Sequence, residues 1–134
     1  MPSNPTRLYI SRKLKKLVDD ARKYDNFFKE LENKNFFFLA LRVGYSNKSR
    51  LPLGNKEEFV RAEYLNDIDA ALLKAIAVAD TKDIKVINDI TRVYEIAEEY
   101  ANGATEHLRA LIFEDPASFT KKLVTLFREK RKHS

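Results

Sequence analysis

Phe36-Phe37-Phe38-Leu39-Ala40-Leu41-Arg42-Val43 is followed at once by Gly44-Tyr45-Ser46-Asn47-Lys48-Ser49-Arg50 and then Leu51-Pro52-Leu53. The first eight residues carry a single charge, Arg42, and are apolar on almost every helical face. A helix of that kind belongs in the middle of a core. Asn33 or Asn35 is placed to cap its start. Gly44 stands where a left-handed residue closes a helix. Ser46-Asn47 favours a turn, and Pro52 holds Leu51 extended. The stretch therefore predicts a central helix over 36–43, ended by Gly44, with a basic loop after it.

Working toward the N-terminus, Leu14, Leu17, Val18 and Ala21 recur at i, i+3, i+4 and i+7, which predicts an amphipathic helix with Ser11 as its N-cap. Ahead of it, Arg7-Leu8-Tyr9-Ile10-Ser11 alternates like a short strand. Phe27, Phe28 and Leu31 predict a further helical turn or a short helix. Toward the C-terminus, 56–65 reads as a helix with Phe59, Val60 and Tyr64 inward. Asn66-Asp67-Ile68-Asp69 starts a further helix, reaching about Ala79, with Ile68, Leu72, Ala75, Ile76 and Ala79 on one face. Residues 83–90 form a short helix or an irregular link. Val93, Tyr94, Ala97, Tyr100 and Ala101 mark a helix stopped by Asn102-Gly103. Leu108, Leu111 and Ile112 mark another. Asp115-Pro116 opens a last helix with Phe119, Leu123, Leu126 and Phe127 on one face, ending in a basic run.

The expectation is a single all-α domain over residues 1–134. It holds five to seven helices and one short N-terminal strand, with 1–6 and 129–134 as flexible ends. The 134 residues, 44% hydrophobic, suffice for one core. Three Gly and four Pro leave little linker. With no cysteine, disulfides and thiolate chemistry are out. No run approaches the ~18 apolar residues of a membrane span, and the N-terminus lacks a secretory h-region. The expected location is the cytoplasm, with no membrane partner.

Charge is unevenly spread. Residues 1–56 carry net +8, residues 57–115 net −8 and residues 116–134 net +5. Basic ends flank an acidic middle. Either the ends form a polyanion-binding surface, or they dock on the acidic middle within one subunit or between two.

Catalytic patterns are missing. His107 and His133 have no metal-ligand spacing. Glu95, Glu98 and Glu99 lie on one helix, where paired carboxylates could bind a metal or act as acid and base; the plainer reading is a solvated acidic face. Asp83-Ile84-Lys85 has the acid-x-Lys order of some nucleases, without the preceding acidic strand. There is no Gly-x-Ser-x-Gly elbow and no Gly-rich phosphate loop. The expectation is no enzyme, no cofactor and no metal. The positive signal is basic residues near aromatics: Arg7, Arg12, Lys13, Lys15 and Lys16 around Tyr9, and Lys48 and Arg50 after Tyr45. These seven are the candidate phosphate contacts. The N-terminal order of strand, basic helix and apolar helix also matches a ribbon-helix-helix repressor. In that fold two chains pair their strands, and Arg7, Tyr9 and Ser11 would face DNA.

"FFFLALRVGYSNKSRLPL", "LLKAIAVADTKDI" and "IAEEYANGA" together resemble the DNA phosphorothioation (Dnd) system-associated protein 4 family, from about Leu8 to Leu111. The resemblance implies a helical protein encoded beside bacterial genes that replace a DNA phosphate oxygen with sulfur, or that restrict unmodified DNA. It supplies no catalytic residues. It implies structural roles for Gly44 as a helix stop and for Glu98 and Glu99 as partners of basic groups. The expected function is a non-enzymatic accessory protein binding DNA, other proteins of the system, or both. A purely protein-binding subunit and the repressor are the alternatives, and a homodimer is allowed by each.

Overall fold

The computed structural model describes residues 4–114. Its elements run β1 (Arg7–Ser11), α1 (Arg12–Tyr24), α2 (Asn26–Glu30), α3 (Asn33–Ser46), β2 (Lys56–Arg61), α4 (Asp67–Thr81), α5 (Ile90–Gly103) and α6 (Thr105–Arg109). Short 3-10 turns cover Ala62–Tyr64 and Ile84–Asn88, and a π-helical turn covers Ala110–Glu114. The class is mostly helical, as expected. The helix predicted after Asp115 and the flexible end at 129–134 lie outside the described residues.

α1 forms as its periodicity requires. Leu14, Leu17, Val18 and Ala21 are its buried residues, and the Ser11 hydroxyl accepts from the Leu14 N–H at 3.1 Å. At the start of α4, Asn66 accepts from the Asp69 N–H, and Asp69 accepts from the Asn66 N–H, a reciprocal capping box.

Three local readings are corrected. Residues 56–61 form a strand rather than a helix. β2 pairs antiparallel with β1, with Leu8 opposite Val60 and Tyr9 opposite Glu58. Phe59 is the extra residue of a bulge, so Phe59 and Val60 are both buried. That doublet breaks the alternation that marks a strand, and it fits a helical face instead. Tyr64, expected inside, is 63% exposed. On α4 the buried face is Leu73, Ile76 and Ala77, while Ile68, Ala75 and Ala79 are exposed. Apolar residues surround this helix, so more than one stripe satisfies the 3.6 period.

The third correction concerns glycine. α3 runs through Gly44 to Ser46, and the left-handed residue comes later, at Lys48 (φ 51°). A Cβ on Gly44 would lie 1.8 Å from the Tyr100 carbonyl oxygen. Gly44 thus lets α3 and α5 touch backbone to backbone. α5 likewise passes through Asn102 to Gly103 and continues into α6 with Ala104 still helical. A Cβ on Gly103 would sit 1.9 Å from the Ser49 carbonyl oxygen. Both glycines are packing residues rather than helix stops.

The core gathers Leu8 and Ile10 of β1, the apolar face of α1, and Phe36, Phe37 and Leu41 of α3. Val93, Ile96 and Ala97 of α5 complete it with Leu108 and Ile112. α3 and α5 lie at its centre, as the opening stretch predicted for α3.

Candidate nucleic-acid interface

The seven predicted phosphate contacts fall into different environments. Arg7 Nε donates to Glu58 Oε2 at 2.8 Å across the ribbon. Arg12 lies 3.8 Å from Glu57. Lys15 and Lys16 pair with Asp19 and Asp20 one turn along α1, at 2.8 and 3.6 Å. Lys13 and Lys48 are exposed and form no ion pair among the described residues. Arg50 differs in kind. Its Nε donates to Glu99 Oε1 and its Nη1 to Asp80 Oδ2, each at 2.6 Å, with the side chain 27% exposed. Partial burial opposes its charge, but the bonds to Glu99 and Asp80 outweigh that and raise its pKa. The Tyr100 hydroxyl joins the group, donating to Asp80 Oδ1 at 2.6 Å. Burial and that bond push it up to about 12.

Docking of the basic N-terminal part on the acidic middle therefore occurs within one subunit, through Arg7–Glu58, Arg12–Glu57, Lys34–Asp69 and Arg50 with Asp80 and Glu99. The partners expected for Glu98 and Glu99 are half right. Glu99 holds Arg50. Glu98 is buried beneath the ribbon and accepts the Tyr9 N–H at 2.7 Å. Burial pushes its carboxyl up to about 7, against the Tyr9 bond and the nearby Lys56 charge.

A polar node that sequence reasoning missed sits at the start of α1. The Ser11 hydroxyl donates to Asn102 Oδ1 at 2.5 Å. Asn102 Nδ2 donates to the carbonyls of Leu51 (3.2 Å) and Pro52 (2.8 Å). The Arg12 N–H donates to the Asn55 carbonyl at 3.2 Å, and the Leu51 N–H to the Glu99 carbonyl at 3.0 Å. The loop after α3 is thus pinned along α5 and reaches the first residue of α1. Asn102 read as a helix stop because the same residue type favours C-caps, and nothing local signals a partner ninety-one residues away.

Between α1, this loop and the α5–α6 junction lies a cleft of about 390 Å³, bordered by Arg12, Lys13, Leu51, Pro52, Asn55 and Glu106 among others. Arg12 and Lys13 are the predicted contacts brought together there. Lys15 and Lys16 continue along α1, Arg7 lies on the ribbon, and Arg50 is taken up by its carboxylates.

The ribbon-helix-helix reading is overturned. β1 pairs with β2 of its own chain, Glu98 occupies the Tyr9 N–H, and Ser11 is a buried cap rather than an outward residue. The carboxylates weighed for chemistry diverge: Glu95 meets Arg92, Glu98 meets Tyr9, Glu99 meets Arg50, and Asp83 caps the turn at Ile84–Asn88. Among the described residues no cluster of three or more His, Cys, Asp or Glu could hold a metal ion, and no helix is long and apolar enough to cross a membrane.

The family model for DNA sulphur modification system-associated protein 4 matches residues 8–134. No curated protein and no solved structure matches the chain. Nearly the whole sequence is covered by the family, and its association with a DNA sulphur modification system makes an accessory role the supported one. The chain belongs to the DNA sulphur modification system-associated protein 4 family.

Proposed function

We propose that the protein is a non-enzymatic accessory factor of a bacterial DNA phosphorothioation or linked restriction system, working in the cytoplasm by laying α1 against the DNA backbone. The observation that carries this is the solvent face of α1. Arg12, Lys13, Lys15, Lys16 and Lys23 stand on it against Asp19 and Asp20, and its ion pairs are exposed ones, whereas Arg22 turns to the Leu31 carbonyl and Asn33. Exposed pairs are worth only about 0.2–1 kcal/mol, so a phosphate competes with Asp19, Asp20 or Glu57 at small cost. Lys13, with no ion pair among the described residues, has none of these to exchange. Arg50 is excluded from this surface, because releasing it would strand Asp80 and Glu99. Arg7 on β1 and Lys48 in the loop after α3 are the remaining contacts of this reading.

Binding of the full chain to a plain duplex, followed by fluorescence anisotropy over a salt series, tests the reading. Affinity should fall steeply with salt, and replacing Lys13 and Lys16 by Ala should make the log–log slope shallower by about two. No binding at low salt would end the DNA reading.

We infer a second mode of action from α4. Ile68 is 79% exposed, and Ala71, Ala75 and Ala79 follow it along the same outward face. An apolar face of this kind suits another protein of the same system. A salt-insensitive complex with purified system proteins, lost on Ile68→Asp, is the expected result. If that substitution instead splits a homodimer in sedimentation, the occupant is a second copy.

A further inference from the structure

We propose that the cleft at the start of α1 accepts one backbone phosphorothioate of DNA, its cations taking the charge and its leucine–proline segment taking the sulfur. This rests on the DNA reading above and names the group bound.

The cleft has two chemistries in one space. Arg12, Lys13 and Asn55 supply cations and a polar edge, while Leu51, Pro52 and Leu53 supply an apolar wall. Leu51 is 53% exposed and is not part of the packed core. Its backbone is held by the bonds to Glu99 and Asn102, so the wall is fixed in place. The buried polar groups nearby are already paired: Ser11 with Asn102, Asn102 with the loop carbonyls, and Thr105 with the Asn102 carbonyl at 2.7 Å. They hold the cleft's shape, which leaves the cations to bind. The volume falls within the range of ligand sites.

An ordinary phosphodiester fits such a site poorly. Both free oxygens are strong acceptors, and an oxygen turned to leucine and proline loses water without gaining a donor. Sulfur in place of one oxygen keeps the charge. It is larger, more polarisable and a weaker acceptor, so the apolar wall suits it. Because the wall is on one segment, only one of the two phosphorus configurations directs sulfur there while an oxygen meets the cations. Glu106 also borders the cleft and opposes any anion; it lies 3.7 Å from Arg109.

The test is anisotropy of the full chain with three matched duplexes: plain, and phosphorothioated at one site in each configuration. About tenfold tighter binding to one configuration is expected, a ratio within reach of a single changed contact. Leu51→Ser gives an oxygen the donor that the wall lacks, so it should abolish that preference by drawing the affinities for the plain and the phosphorothioated duplexes together. Lys13→Ala should weaken all three alike, and Glu106→Gln should tighten all three. Equal affinity for the three duplexes would overturn the sulfur inference while leaving the DNA reading intact. A preference that survives Leu51→Ser would overturn it as well, by placing the selectivity elsewhere. No binding to any duplex would overturn both.

Discussion

Replacing Glu98 by Gln should stabilise the protein at alkaline pH and change little in acid. Glu98 is buried under β1, where its carboxylate accepts the Tyr9 N–H. Burial raises its pKa from 4.5 to about 7, and Glu95 and Glu99 add to the effect. The Tyr9 bond and Lys56 only partly offset it. A group whose folded pKa lies above its unfolded value contributes fully below the unfolded value and loses that contribution as pH rises through the folded one. The window is therefore between 4.5 and about 7. Across it the ionised form comes to cost about 3 kcal/mol, taking ~1.4 kcal/mol per pH unit. Gln keeps an oxygen for the Tyr9 N–H and carries no charge to desolvate. Thermal unfolding of both proteins at about pH 8 and about pH 5 is the assay. The variant should melt up to ~10 °C higher at the alkaline pH, with most of the gain gone at the acid one. If Gln destabilises equally at both, the ionised carboxylate is the stabilising species and the burial argument is wrong.

Other expectations follow from the packing. Gly44→Ala drives a methyl into the Tyr100 carbonyl, and Gly103→Ala drives one into the Ser49 carbonyl. Each should cost about 3 kcal/mol or more in denaturant unfolding, since backbone rather than a movable side chain must yield; wild-type midpoints would refute the close α3–α5 and loop contacts. Arg50→Met leaves Asp80 and Glu99 without their shared cation, and should lower stability by about 2 kcal/mol, measured by urea titration. A smaller loss at low pH than at neutral pH is the accompanying sign. Ser11→Ala removes both the α1 cap and the bond to Asn102. It should cost roughly 1–2 kcal/mol, and hydrogen exchange should speed up in α1 and in the loop after α3 together.

Elements whose burial follows one clean period were legible from residues alone. α1 was read with its N-cap and all its buried positions, and β1 with its ends, because in each a single face is apolar. α3 was read as central for the converse reason. β2 was missed because its bulge buries two successive residues. The inward face of α4 was read only in part, with Ile76 right and Leu73 and Ala77 missed, because alanine on every side leaves the rotation undetermined until α5 supplies a surface. Gly44, Asn102 and Gly103 were read through local rules for helix ends, yet each is set by a segment distant in sequence: Gly44 by the Tyr100 carbonyl, Gly103 by the Ser49 carbonyl, and Asn102 by Ser11. The candidate site shows the same division. The cations of α1 were visible as a run of charge. The cleft beside them was not, because its wall comes from Leu51 to Leu53 and its frame from Asn102. Charge counting also could not tell Arg50, held by two carboxylates, from Lys13, held by none among the described residues.

Hydrogen–deuterium exchange of the full chain with and without a duplex would test the central claim most directly. DNA contact through α1 predicts protection concentrated in residues 11–17 and in the 51–55 loop, with α4 unchanged. Protection confined to α4, or none at a duplex concentration that saturates binding, would contradict it.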